Sequence, residues 1–587
     1  MKSTSFFANL AGGLLSLNAV TASQADWTTL NATVGGRLQV GVPFSQPCFP
    51  HAAGGPKVQN EALCAEIQAR NEDHIFRAQH FGAYELTQWE QCQTQKGDEC
   101  MMDWTNPTNA AAFAPPRQCR QGSVPPVYLE VNDVDDVRAA YNFTKKTKVP
   151  LVVKNSGHDY IGRSAGPGSL ALWMKNLQKI ELETQFVPAG CPPATKPALA
   201  LTIGAGQQFR TILDFAKENN ITFAAGADPS VGASGGWVMG GGHSGLSPTF
   251  GLGVDRVLEF KIVTPDGVLR TANKCQNEDL FFALRGGGGG TFGVVLESTF
   301  VVEPTITVQV VLGMYNATRE NSKKLIQELA KGAEGLAADG WGGYVTPALA
   351  SGVWLHPSFS EEEAQKSSQS LLDAFASVGG SHMFFTMPTF TDFFDTFIAP
   401  NTDQVGRPQV LATRLFSGAA LSDPVTVDAM IDGMLDSDFG QILAVTPYNV
   451  KDTGTSINPA WRKAVWHTLM SYNWNFGSTL DEIVAQYNKL TEKWAVVRER
   501  TADSGTYLNE ADVFEPNYQT AFWGDNYDKL LAIKNKYDPD HLLDCWHCVG
   551  WKGPQDPLYK CYPDPSGTLK SSSSEEKRES DPIKDEL

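Results

Sequence analysis

At 587 residues the chain has room for about four domains of ordinary size, and fewer, larger lobes are expected. A net charge of −18 excludes nucleic acid as a partner, because affinity for a phosphate backbone comes from Lys and Arg; a small or neutral substrate is the natural one. Beyond the leader no segment holds about 18 uninterrupted apolar residues, so no membrane span is expected.

Taken in order, Lys2, the apolar stretch Phe6–Leu17 and the small residues Val20-Thr21-Ala22 have the three parts of a secretory signal peptide, giving a leader over 1–22. Sequons at Asn31, Asn142, Asn220 and Asn316 agree with entry into the endoplasmic reticulum. The ten cysteines suit an oxidising lumen. Cys48, Cys64, Cys92, Cys100 and Cys119 fall in 23–124, which reads as a disulfide-braced extension whose connectivity is not legible.

Residues 125–303 are strand-rich and helix-flanked. Val127–Val131 reads as a strand, Asp133 as the N-cap of a helix with Asp135 and Asp136 in its first turn, and Pro150–Val153 as a second strand. That strand opens into Asn155-Ser156-Gly157-His158-Asp159, a small-residue loop of the kind that offers backbone N–H groups to a diphosphate. Strands at Ser169–Trp173, Leu199–Ile203 and Leu258–Val263 and a helix at Gln208–Asn219 follow. Between them lie Gly226–Gly232 with Asp228 and Val231, then Gly235-Gly236, Gly240–Gly242 with His243-Ser244, and Arg285–Gly290 leading to Val294-Val295. Glycines at this density let backbone approach a ligand that side chains would keep away.

Residues 304–500 read as a substrate lobe, an antiparallel sheet backed by helices: a strand at Val308–Met314, a helix at Glu320–Ala338, and a capping box at Ser360–Glu363. Along Pro459–Met470 a period of two puts Trp466, Thr468, Met470 and Tyr472 on one face and His467 and Leu469 on the other. Residues 501–563 return to the first domain. The tail, 564–587, has a polar run Ser571–Asp581 and ends Lys584-Asp585-Glu586-Leu587, an address read by an ER-retrieval receptor. Lumenal residence is therefore expected. Cys545-Trp546-His547-Cys548 is a CxxC that by motif suggests thiol–disulfide exchange. It does not open a helix after a strand, so structural disulfides involving Cys545, Cys548 and Cys561 are the preferred reading. No second ligand pair has zinc spacing, and no metal site is expected.

The order of Ser156-Gly157-His158-Asp159-Tyr160, Leu201–Gly206, the glycine lattice, Asp255-Arg256-Val257 and Asn277–Leu280 before Leu284-Arg285 and five glycines resembles the vanillyl-alcohol-oxidase-type flavoproteins. Within these it is most similar to the berberine-bridge-enzyme-like branch and to fungal isoamyl-alcohol-oxidase-like proteins. The resemblance covers roughly 125–300 and returns at 507–551. It implies an α+β fold, with FAD in a two-subdomain PCMH-type cradle and an inserted antiparallel-sheet substrate lobe. It also implies a covalent bond from His158 to the flavin 8α-methyl, which raises the reduction potential. Doubly linked relatives carry a cysteine where this chain has Asp228, so a single link is implied. Val231, at a position said to influence oxygen access, leans towards an oxidase. Relatives place Glu, Gln or Lys at positions that fall on Thr468 and Met470, so the identity of the base is open. Tyr507, in Tyr507-Leu508-Asn509, is the best candidate, provided its pKa is lowered, and His467 serves if the register is shifted. The reading is an oxidase of a small specialised metabolite that passes electrons to dioxygen. An oxidase of simple alcohols or sugars is the alternative within the class, and a thiol oxidase using Cys545/Cys548 the alternative outside it.

Overall fold

The computed structural model describes residues 24–53, 57–94, 100–402, 404–451 and 454–564. The leader and the retrieval tetrapeptide lie outside them. Three larger sheets organise the chain, beside a two-stranded pairing of Glu303–Pro304 with Ile221–Thr222. The first contains Val127–Glu130, Leu170–Trp173 and Leu151–Lys154 as parallel neighbours, with Gln39–Val40 of the extension added antiparallel to Val127–Tyr128. Parallel strands need a crossover, and the helix Val134–Thr147 supplies it. Asp133 caps that helix by accepting from the N–H groups of Asp135 and Asp136, and Lys148 ends it in the left-handed region. Trp27 of the extension packs its ring, tilted, with its centroid 4.4 Å from that of Phe143 on the same helix.

The second sheet is antiparallel and five-stranded: Ile180–Phe186, Ala198–Gly204, Val294–Val301, Val257–Val263 and Leu269–Asn273. The third, also antiparallel, has seven strands, in the order Ser381–Met387, Val308–Met314, Ser351–His356, Gly342–Thr346, Phe439–Ala444, Ala464–Asn473 and Gln409–Ser417. One face is covered by helices. Among them is Arg319–Asp339, capped by Thr318 at one end and by left-handed Gly340 at the other. Leu480–Arg500 is another, and its buried Trp494 donates to the carbonyl of Thr413 at 3.1 Å. Removing a side chain such as Leu325 or Leu329 from this layer costs about 2–5 kcal/mol. The other face of the sheet looks towards the first two sheets. Among the described residues no helix is long and apolar enough to cross a membrane.

The extension is braced by Cys48–Cys64 and Cys100–Cys119, whereas Cys92 reaches Cys561 near the far end of the chain. Cys191–Cys275 and Cys545–Cys548 complete the pairing. The substrate lobe is tied to the first domain by a buried fork. Arg462, in the turn Pro459–Arg462 before strand Ala464–Asn473, donates from Nη1 and Nη2 to Asp255 at 2.8 and 2.7 Å.

Candidate functional site

A cavity of about 700 Å³ lies where the three sheets meet. The loop after Leu151–Lys154 brings Asn155, Ser156, Gly157, His158 and Asp159 to its wall, and Asp228, Val231, Gly235, Gly236, His243 and Tyr507 also line it. The glycines are there because side chains would not fit. A Cβ at Gly232 or Gly235 would strike Asn155 at 2.0 or 2.8 Å, and one at Gly289 would lie 2.9 Å from the Gly236 backbone. The run 286–290 is therefore packed against the 235–236 turn, with Gly288 donating to the Met239 carbonyl at 2.9 Å. This cradle of close backbone is what the diphosphate and rings of the expected cofactor need. Val295 lines the cavity as well. Val294 and Ser244 are buried behind it, Ser244 donating its N–H to the Ser247 hydroxyl at 2.9 Å.

His158 sits in a polar chain that motif reading did not foresee. Its Nε2 donates to Ser230 Oγ at 2.6 Å, and Ser230 gives its own proton to Asp228 Oδ1 at 2.8 Å. The other oxygen of Asp228 pairs with His74 Nδ1. Burial by itself disfavours the Asp228 carboxylate, but the charges and hydrogen bonds of His158 and His74 overcome it and hold its pKa well below the usual range. Conversely, Glu85 is buried with neither oxygen hydrogen-bonded, and burial pushes its pKa up although it lies 3.8 Å from His158. His74 and Glu85 come from the extension. No local pattern marks them.

A second cluster also reaches the cavity wall. Glu510 faces the cavity and accepts from His243 Nε2 on one oxygen and His467 Nε2 on the other, each at 2.8 Å. Burial raises the pKa of this carboxyl, yet the two imidazoles outweigh burial and hold it well below 4.5. Burial lowers that of His467 against the pull of Glu510. In each cluster the ligand-type atoms lie within 4.8 Å of one another, and both sets are joined by hydrogen bonds and ion pairs among themselves.

Two expectations are corrected here. Thr468 is completely buried on the helix-covered face of the third sheet, in the layer of Trp466 and Met470, and does not line the cavity. The cross-strand register puts His467 opposite Leu443 and Leu469 opposite Gln441, both of which line it, so it is the His467 face that turns to the site. Tyr507 does line the cavity, but it fails the condition for a base. Burial, reinforced by the Glu510 charge, pushes its phenol up, not down. Its hydroxyl accepts from Asn509 Nδ2 at 2.8 Å and the Gly242 N–H at 3.2 Å and donates to the Trp237 carbonyl at 3.3 Å. It holds the glycine turn. Glu510 immediately follows Tyr507-Leu508-Asn509, and that adjacency was the one sequence signal available for it.

Residues 125–273 match the family of FAD binding domains and residues 506–545 the berberine and berberine-like family. The chain is 37% identical to the FAD-linked oxidoreductase ffsJ of Aspergillus flavipes, covering 93% of this chain and 95% of that one. To the FAD-linked oxidoreductase cheF of Chaetomium globosum it is 35% identical over 92% and 88%. Among solved structures, the VAO-type flavoprotein MtVAO713 of Myceliophthora thermophila superposes with a TM-score of 0.79 at 28% identity, covering 90% of this chain and 95% of that one.

Proposed function

We propose that this chain, which belongs to the FAD-linked oxidoreductases of the vanillyl-alcohol-oxidase type and their berberine-like branch, is an oxidase of a small organic metabolite with His158 singly linked to the flavin. FAD, when bound, accepts a hydride and passes the electrons to dioxygen, giving hydrogen peroxide. Asn155, Gly157, Gly235, Gly236 and the 286–290 run would hold it. The substrate's proton goes to Glu510. Glu510 is hydrogen-bonded through its two oxygens to Nε2 of His243 and of His467, so a proton delivered to it enters a connected network that reaches both imidazoles. This carboxylate at the cavity wall, between two histidines, is the observation that carries the reading. Tyr507 and Asn509 fix the turn beneath it.

Support for attachment at His158 comes from its loop and from the Ser230–Asp228–His74 chain, which draws the Nε2 proton away and leaves the ring more nucleophilic. Asp228 occupies the place of the second-link cysteine, and a carboxylate forms no thioether. The thiol-oxidase alternative is weakened by access. Cys545 reaches the cavity wall, but Cys545 and Cys548 are only 7% and 3% exposed, and exchange needs a thiolate to reach one sulfur.

The test is acid precipitation of the purified protein and mapping of the flavin-bearing peptide. Flavin retained by wild type and released from His158→Ala is expected, and equal release from both sinks the covalent link. For turnover, Glu510→Gln should keep its flavin and bleach about 10²–10⁴-fold more slowly with any substrate that reduces the wild type. Unchanged bleaching would remove Glu510 from the reaction.

A further inference from the structure

The substrate lobe meets the cavity with one face of its sheet, and the composition of that face is uneven. Across the register Leu312 lies opposite Val353, Val353 opposite Tyr344, Tyr344 opposite Leu443, and Leu443 opposite His467. This row is hydrocarbon and one phenol up to the histidine that backs Glu510. Among the described residues of 304–500 that line the cavity, none carries a charge. The charged groups at the cavity wall, Glu85, Asp159, Arg163, Asp228, Glu510 and Asp544, all come from the rest of the chain. The polar groups of the lobe lie on the neighbouring row, where Ser351, Thr346 and Gln441 line the cavity, and at Tyr315, Asn401 and Gln404. Gln441 donates from Nε2 to Thr346 Oγ1 at 2.9 Å, which leaves the second Nε2 hydrogen as a donor. Outwards, the apolar surface continues to the rim, where Met314, Leu349 and, on the edge strand opposite Leu312, Met383 are 39%, 52% and 41% exposed.

We infer that the substrate of this oxidase is an uncharged, predominantly hydrocarbon molecule bearing one hydroxyl whose oxygen accepts from Gln441 Nε2 while its proton is left for Glu510, its apolar body lying on the Leu312–Val353–Leu443 row and reaching the rim at Met314 and Leu349. The inference rests on the oxidase reading and narrows it. A sugar brings a hydroxyl on nearly every carbon, and the Leu312–Val353–Leu443 row offers them only the Tyr344 phenol; each one buried there without a partner opposes binding. A charged substrate would leave water with no counter-ion on this side of the cavity. An apolar body gains from both the row and the rim. Oxidation removes a hydride and a proton from the substrate, the electrons ending on dioxygen as hydrogen peroxide, so the product is the carbonyl compound or its cyclised equivalent with two fewer hydrogens.

The experiment uses the flavin-loaded full chain and reads perturbation of the flavin absorption band, a binding signal independent of turnover. The probes are 1-naphthylmethanol, 1-methylnaphthalene, 1-naphthylmethylammonium and maltotriose. Saturable binding of naphthylmethanol is expected at least about ten-fold tighter than the ammonium or maltotriose. Val353→Asp should weaken naphthylmethanol by about ten-fold or more and favour the ammonium, and Gln441→Leu should erase the advantage of naphthylmethanol over methylnaphthalene. If Val353→Asp fails to fold, Leu349→Asp at the exposed rim tests the same surface with a smaller loss in the same direction. Tighter binding of maltotriose or the ammonium, equal binding of all probes, no binding of naphthylmethanol, or indifference to the aspartate variants overturns the inference. Selective binding of naphthylmethanol by a chain whose flavin no metabolite bleaches upholds the substrate class and defeats the oxidase reading, so the two fail separately.

Discussion

Gly236 and Gly289 pack backbone against backbone in the wall of the cofactor cradle, and alanine at either should weaken FAD binding for different reasons. Neither has positive φ, so alanine is conformationally allowed at both. At Gly236 an added Cβ meets only the Asn509 amide oxygen, at 4.0 Å, so the protein has room for the methyl, which takes space from the cavity this residue lines. At Gly289 the Cβ lies 2.9 Å from the Gly236 Cα, and backbone on both sides must give way. Overpacking of this kind costs about 1–3 kcal/mol, equivalent to roughly a 5–150-fold weaker dissociation constant. Titration of FAD into the apoprotein, made in a His158→Ala background so that binding is reversible, measures it by flavin fluorescence, with apoprotein melting alongside. Gly236→Ala should bind FAD 5–150-fold more weakly, as estimated above, with unchanged apoprotein melting, and Gly289→Ala should lose both. A Gly236→Ala protein that binds FAD like its parent, or melts lower without it, would refute the claim that this glycine is kept open for the cofactor.

Asp228→Asn should slow covalent attachment, read as flavin fluorescence of the denatured band over time, while reversible FAD binding in the His158→Ala background stays unchanged; attachment at the parental rate would detach Asp228 from the process. Arg462→Met should cost about 3–5 kcal/mol, because it removes both guanidinium bonds from a buried carboxylate. Urea unfolding measures this, and a double variant with Asp255→Asn should lose less than the sum of the two. Stability should fall with acid. His467 has a depressed folded pKa, so as pH drops below 6.5 the unfolded chain takes up the proton first. Glu510 adds stability that is present above 4.5 and lost as pH falls through its depressed folded value. His74, raised by Asp228 against its burial, works in the opposite sense only above 6.5. Melting temperatures from pH 7.5 to about 2.5 should therefore decline, with the gap between wild type and Glu510→Gln narrowing only below 4.5; a gap still constant at the acid limit would show that Glu510 is not held ionised.

Much of the cradle was legible in the chain because its signals are local. A histidine after a glycine turn at a strand end, glycines spaced where backbone must approach backbone, Asp133 before an amphipathic helix and Ser360 with Glu363 in a capping box are short-range patterns, and they became the structure they describe. The strand Val308–Met314 has the bounds its alternation gave. Alternation along Ala464–Asn473 likewise separated two faces. It could not say which one meets the cavity, since that depends on pairing with Phe439–Ala444 and Gln409–Ser417.

The groups proposed to act beside His158 were placed by tertiary structure alone. Glu510 gains its place from His243 and His467, which come from different lobes. Its low pKa comes from the two histidines acting against burial, and the raised one of Tyr507 from burial and the Glu510 charge, neither of which residue type carries. His74 and Glu85 enter from an extension whose sequence shows weak periodicity, and Cys92 finds Cys561 across a separation of 469 residues. Periodicity and caps are written within a few residues of one another, whereas a dielectric, a register or a long-range pair exists only once distant segments have packed.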